Sequence, residues 1–198
     1  MCAVVVDITM SLDGFVTGVD PGIENGLGDD GMQLHNWVFE AKTEADAKVL
    51  NDSLARTGAV VMGRNTFDIV DVAWNDEVAF GGPRDGRELP RNVVVTHEQP
   101  QSVRLADAFT FATDGVAQAV ELAKEMAGDR DVTVMGGGEI CRQCIEEGLA
   151  DEIVIHLAPV LMGGGTKLFG EQGSIVNLEQ IDLVDTPGAT HLHYKVTR

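Results

Sequence analysis

Two β-branched runs in this chain stop on the same two residues: Val60-Val61-Met62-Gly63 and Val132-Thr133-Val134-Met135-Gly136. Each run reads as a strand that ends at glycine and opens a helix. The first helix starts with Arg64, Asn65 and Thr66, the second with Gly137, Gly138 and Glu139. Glycine at such a junction lets backbone N–H groups and a helix N-terminus come close to an anion. Arg64 adds a planar cation suited to phosphate. Two junctions of this kind in one small domain point to a ligand with more than one phosphate position, and hence to a dinucleotide. The triglycine Gly136–Gly138 also has a purely steric reading, as a place where helix and sheet pack closely.

Ala3–Thr9 predicts a first strand, and the Gly/Asp-rich stretch from Ser11 to Gly31 a long loop suited to act as a lid. Thr43, with Asp46 three residues on, predicts a capped helix to about Arg56, ended by Gly58. Ala59–Met62 is the next strand, and residues 71–91 form a second loop. Strands follow at Val93–Thr96 and Ala108–Phe111, then a helix capped by Asp114 and running to about Ala127. Asp131–Met135 is a strand, Glu139–Glu147 a helix, and Asp151–Leu157 a strand. Leu178–Val184 and His191–Val196 close the chain as an antiparallel hairpin. Alternating strands and helices predict an α/β fold with a mostly parallel central sheet and an antiparallel C-terminal edge. Ligands of such sheets sit beyond the carboxyl ends of the strands, where both Met-Gly junctions belong. With 198 residues and no break in composition, residues 1–198 are expected to form one domain.

Charge narrows the partners. A net charge of −18 lacks the basic stripe a nucleic-acid surface needs, so no nucleic-acid partner is expected. No apolar stretch is long enough to cross a bilayer, and no leader pattern opens the chain, so a soluble cytoplasmic protein is expected. Three cysteines make no disulfide framework, and Cys141 and Cys144 read as small buried helix residues. His191 and His193 share one strand face without an evident third ligand, so no metal is expected. Asp13, followed by Gly14, reads equally as a turn residue or as a group that positions substrate or a proton-donating water. Trp37 could wall a pocket or anchor the preceding loop to the core.

Four motifs then occur in family-like order: Met10-Ser11-Leu12-Asp13-Gly14, Met62-Gly63-Arg64-Asn65-Thr66, Gly136-Gly137-Gly138-Glu139, and the string from Gly148-Leu149-Ala150-Asp151-Glu152-Ile153 to Ala158-Pro159-Val160-Leu161-Met162-Gly163-Gly164-Gly165. From about Val4 to Val196 the chain resembles the dihydrofolate reductase superfamily, in particular the branch with the reductase domain of riboflavin biosynthesis. The resemblance implies a three-layer dihydrofolate reductase-like fold, NADPH as cofactor and a homodimer. By position it implies that Gly63, Arg64, Asn65 and Thr66 hold the adenosine-side phosphates, with Arg64 beside the 2′-phosphate. Thr96 and His97 would flank the adenosine, Gly136, Gly137, Gly138 and Glu139 would take the pyrophosphate, and Ile140 would pack nearby. Ser11 and Asp13, with Leu12 and Gly14, would belong to the catalytic loop over nicotinamide and substrate. The substrate carboxylate of dihydrofolate reductases falls on Ala47, next to Asp46, which makes Asp46 an expected substrate contact; Trp37, after a polar stretch, is the other. Where riboflavin-pathway reductases commonly carry a lysine on the first strand, this chain has Asp7. The activity implied is hydride transfer to a C=N or C=O group of a small heterocyclic or aminosugar-type substrate. A non-catalytic NADP(H)-binding protein of the same fold is the alternative.

Overall fold

The computed structural model describes residues 2–40, 42–74, 78–79, 82–83, 89–170 and 175–197. In chain order, β1 (Val4–Ser11) leads through a 3-10 turn (Gly31–His35) to α1 (Asn36–Phe39) and α2 (Glu44–Arg56). Next come β2 (Thr57–Gly63), α3 (Arg64–Ala73), the short antiparallel pair β3 (Val78–Ala79) and β4 (Gly82–Pro83), and β5 (Arg91–Val95). A second 3-10 turn (Ala106–Ala108) precedes β6 (Phe109–Ala112), α4 (Val116–Ala127) and β7 (Asp131–Gly136). The chain finishes with α5 (Gly138–Glu146), β8 (Glu152–Ala158), β9 (Asn177–Asp185) and β10 (Thr190–Thr197).

Eight strands make one sheet in the order β6-β5-β2-β7-β1-β8-β10-β9. From β6 to β8 all neighbours are parallel, while β10 runs antiparallel between β8 and β9. This is the mostly parallel sheet with an antiparallel edge that the alternation of elements predicts. Because side chains alternate along each strand, the sheet has two apolar faces to cover. Val4, Val6, Val61, Val93, Val132 and Val134 pack on one side against Ala119, Val120 and Ala123 of α4 and Ile140, Cys141 and Cys144 of α5. On the other side Val60, Met62 and Val94 meet Phe67 and Val70 of α3, with Phe67 edge-on to Phe109 at 4.9 Å. Fully burying each such valine is worth about 2 kcal/mol.

Helix α2 covers the remaining part of that second face, over β1, β8 and β10. Its start is the capping box that the spacing predicts: Asp46 N donates to Thr43 Oγ1 at 3.2 Å, and Thr43 N to Asp46 Oδ2 at 2.7 Å. Several local expectations change. Helix α4 is capped by Gly115 rather than Asp114, whose carboxylate instead receives Gln118 Nε2. Of the loop expected over 71–91, residues 71–73 complete α3 and most of the rest lies outside the described residues. The glycine-rich stretch after β1 is not shapeless. Its base is clasped by Val16 N to Thr166 O and Leu168 N to Gly14 O. Beyond the base, Gly18 N to Leu27 O, Asp29 N to Val19 O and Gly22 N to Gly26 O close a small hairpin.

Gly58 does not end α2; it lies inside β2. A Cβ there would sit 2.6 Å from Ala127 O and 2.9 Å from Ala127 Cα, so glycine is what lets the end of α4 rest on this strand. Gly58→Ala is therefore expected to cost about 1–3 kcal/mol by overpacking. A urea titration should show a lower midpoint with an unchanged slope; an unmoved midpoint would show that α4 can yield there freely.

Candidate cofactor and substrate site

The parallel pairing of β2 with β7 sets Met62 opposite Gly136, so the two Met-Gly junctions end neighbouring strands. They abut. A Cβ at Gly63 would lie 2.8 Å from Ile140 Cγ1 and 3.7 Å from Gly137 N. Across the gap, Cβ positions at Gly136 and Gly137 come nearest to Thr66 Oγ1, at 3.4 and 3.5 Å. The Gly136–Gly137 peptide is cis. Helices α3 and α5 start side by side with glycine at both N-caps and no side-chain cap on either. The starts of the two helices therefore lie together at the carboxyl edge of the sheet, the kind of place that can receive an anion. The third glycine has a different task. A Cβ at Gly138 would meet Val16 Cγ2 at 2.8 Å and Lys167 O at 3.3 Å, so close packing of the clasped loop on α5 requires it.

Among the side chains expected here, Arg64 pairs with Asp68 at 2.7 Å and reaches Glu98 O at 3.4 Å. Its guanidinium stays partly exposed, and Asn65 beside it is exposed. Thr96 is buried just after β5, with its hydroxyl donating to Glu98 O at 2.7 Å, and so shapes the turn that Arg64 touches. His97 is exposed. Glu139 is exposed on the first turn of α5 and pairs with Arg142 and Gln143, while Ile140 is buried under the junction. Cys141 and Cys144 are buried, and burial pushes the Cys144 thiol up to about 12, which keeps it protonated and unreactive.

Ser11 and Asp13 form the knot of the clasp. Ser11 Oγ donates to Asp13 Oδ1 at 2.7 Å and accepts from Phe15 N at 2.8 Å. Asp13 also receives Met162 N at 3.0 Å and Gly163 N at 2.7 Å. The Ser11 hydroxyl, with these two backbone N–H groups, outweighs partial desolvation and brings the Asp13 carboxyl down to about 2. It is an ionised acceptor at neutral pH and donates no proton.

Trp37 and Asp46, the expected substrate contacts, are both enclosed within the protein. Trp37 is buried, donates its indole N–H to Thr9 Oγ1 at 3.2 Å and packs on His156 and His191, with ring centroids 4.5 and 4.9 Å away. It anchors the end of the glycine-rich loop to the core. Asp46 is fully buried and committed. Its Oδ1 lies 2.9 Å from His191 Nε2 and receives Thr186 Oγ1 at 2.8 Å. Its Oδ2 takes both Thr43 N and Thr43 Oγ1, at 2.7 and 2.6 Å. Beyond His191 the contacts continue: His191 Nδ1 is 2.8 Å from His156 Nδ1, and His156 Nε2 is 2.9 Å from Asp7 Oδ1. Ser53 Oγ of α2 then donates to Asp7 Oδ2 at 2.8 Å. Asp7, Ser53 and His156 are not among the sequence candidates. The signal available was Asp7, Thr9 and Ser11 at alternate positions of an otherwise apolar strand. His193, on the same strand as His191, faces Glu152 at 2.8 Å, and no group able to hold a metal occurs among the described residues.

The model of the RibD C-terminal domain family matches residues 3–192. Two uncharacterized proteins of Bacillus subtilis (strain 168) are similar along their length: YwjB, 24% identical over 195 residues, covering 96% of this chain and 95% of that one, and YyaP, 23% identical over 186 residues, covering 90% and 86%. Among solved structures, a protein of Shewanella sp. PV-4 assigned provisionally to riboflavin biosynthesis superposes with a TM-score of 0.74 at 23% identity, covering 99% of both chains. The riboflavin biosynthesis reductase Rib7 of Saccharomyces cerevisiae superposes with a TM-score of 0.60 at 16% identity, over 99% of this chain and 90% of that one. Together these place the fold in the riboflavin-reductase branch of the dihydrofolate reductase-like superfamily.

The buried acids and imidazoles make stability depend on pH. Burial raises the Asp46 carboxyl, but its bonds from Thr43, His191 and Thr186 outweigh this and hold it down to about 2. Burial likewise opposes the charge on Asp7, and the His156 and Ser53 contacts overcome it, so its pKa is lowered. Burial lowers the pKa of His191 despite the bond to Asp46. For the two carboxyls, and for His191 beside the charge of His156, the unfolded chain binds these protons at a higher pH than the folded one, so acid favours unfolding. Stability should first decline below about pH 6.5, where the unfolded histidine charges, and again below about pH 4, as unfolded carboxyls protonate. Urea midpoints measured between about pH 7 and pH 4 should fall with acid; a flat profile would contradict the burial of these groups.

Proposed function

Because the chain belongs to the RibD C-terminal domain family, we propose that it is an NADPH-dependent reductase acting on a C=N or C=O group of a small heterocyclic or aminosugar-type substrate. The observation that carries this reading is the abutment of two uncapped, glycine-led helix N-termini at one sheet edge. Bound NADPH supplies the hydride. The chain supplies position and exclusion of water. First-turn N–H groups from Gly63 to Thr66 and from Gly137 to Glu139 would receive the phosphates, with the open backbone of Gly136 and Gly137 allowing close approach. Arg64, released from Asp68, would take the 2′-phosphate as a charge-assisted contact. Thr96 would hold the turn beside the adenosine, and Ile140 would support the junction from beneath. The clasp of Ser11 and Asp13 would fix the base of the glycine-rich hairpin, leaving residues 19–28 to close over the nicotinamide.

A non-catalytic NADP(H)-binding protein is the second reading. It is favoured by one observation: Asp13 and Asp46, the carboxylates expected near substrate, are both taken up by partners within the protein. A homodimer in the cytoplasm completes the proposal. Strand β9 supports the dimer, since it is a sheet edge with Leu178, Ile181 and Leu183 exposed. No helix among the described residues is long and apolar enough to cross a membrane.

Arg64→Ala tests the cofactor assignment. Losing a charged contact worth about 1.5–3 kcal/mol should weaken NADPH binding about tenfold to a hundredfold, with NADH little changed. Calorimetry showing equal loss for both would sink the assignment. NADPH consumption with pterin, pyrimidine and carbonyl substrates then separates the two readings: tight binding with no turnover supports the binding protein.

A further inference from the structure

The line Asp7–His156–His191–Asp46 runs across four elements, β1, β8, β10 and α2, and every link is 2.8–2.9 Å long. The four side chains are 0–14% exposed, so water does not supply alternative partners. Such a line has few ways to be satisfied. An ionised carboxylate only accepts, so each Nε2 facing one must carry a proton. That leaves two Nδ1 atoms 2.8 Å apart, which bond only when one proton lies between them. Four ring nitrogens thus hold three protons, and the imidazole pair carries one positive charge between two carboxylates.

The carboxylates are kept ionised from outside the line. Ser53 Oγ donates to Asp7, while Thr186 Oγ1, Thr43 N and Thr43 Oγ1 donate to Asp46 at the N-terminus of α2. The other ionisable neighbours are few. His35, on the 3-10 turn, has an unpartnered buried Nδ1 and feels the charge of His156. The His193–Glu152 pair lies between β10 and β8, and Arg56 at the end of α2 reaches Glu152 at 2.9 Å. Trp37 closes the array on its ring faces and offers no proton to it, since its N–H goes to Thr9.

We propose that Asp7, His156, His191 and Asp46 form one proton-binding site, that it holds a single proton between the two imidazole rings at neutral pH, and that gain or loss of this proton releases a latch joining β1, β8, β10 and α2. With a second proton, two N–H groups point at each other across 2.8 Å; with none, two lone pairs do. Either state breaks the central bond and leaves buried polar atoms without partners. Trp37 rests on both rings, so the latch also governs how firmly the end of the glycine-rich loop is held. None of this depends on which cofactor the protein binds.

Nitrogen shifts of the histidine rings in the full-length ¹⁵N-labelled chain count the protons directly. At neutral pH the expected pattern is both Nε2 atoms protonated and a third proton shared by the two Nδ1 atoms, with the pair titrating as a unit in two steps. Two protons on the four nitrogens, or four, would overturn the proposal. Asp7→Asn removes one flanking anion, so the pair should release its shared proton at a pH lower by roughly one to three units. An unmoved upper step would exclude Asp7 from the site and overturn the four-residue array. Should that variant fail to fold, the proton count in the unaltered chain decides.

Discussion

The pairing of β2 with β7 is the constraint on which the rest of the structure depends. The chain leaves β2 outward through β5 and β6, then returns through α4 to insert β7 between β2 and β1. That insertion puts two strands with the same ending beside each other, in register at Met62 and Gly136. Glycine at each ending lets α3 and α5 start within contact distance, where any larger residue at Gly63 would strike Ile140. The proposed anion-binding edge would then follow from topology and a missing Cβ, with little contribution from net charge. Overall charge opposes it, since the chain carries −18. The two roles of glycine separate here: Gly63, Gly136 and Gly137 open the edge, and Gly138 seats the loop.

The two halves of the sheet are held together differently. Around β2, β5 and β7 the contacts are mainly apolar on both faces, the Thr57–Thr133 hydroxyl pair and Asn92 aside, and many small valine burials sum to a rigid platform. Around β1, β8 and β10, the face under α2 is built from acids, imidazoles and hydroxyls that satisfy one another. A half-satisfied network would cost more than an apolar core. The polar half therefore depends on its protons in a way the apolar half does not. The family match over residues 3–192 spans both halves.

Elements with a strong local signal were legible in the sequence. The capping box at Thr43 and Asp46, the apolar runs of β2 and β7, and the closing hairpin of β9 and β10 are written in neighbouring residues. What depended on distant partners was not legible. Nothing near Gly58 announces Ala127, and the spacing of Asp46 could not show that His191, 145 residues away, would take its carboxylate. The adjacency of the two Met-Gly junctions was likewise hidden, because the strand order is set by a crossover. Asp7 stood in the expected place of a lysine, but its partners His156 and Ser53 come from two other elements.

Both Met-Gly junctions are proposed to hold one cofactor, and a crystal of the protein soaked with NADPH puts this to the test. The expected result is the pyrophosphate bonded to backbone N–H groups of Gly137–Glu139, with the 2′-phosphate beside Arg64 and Thr66. Cofactor density elsewhere, or density at one junction with the other facing solvent, would contradict it.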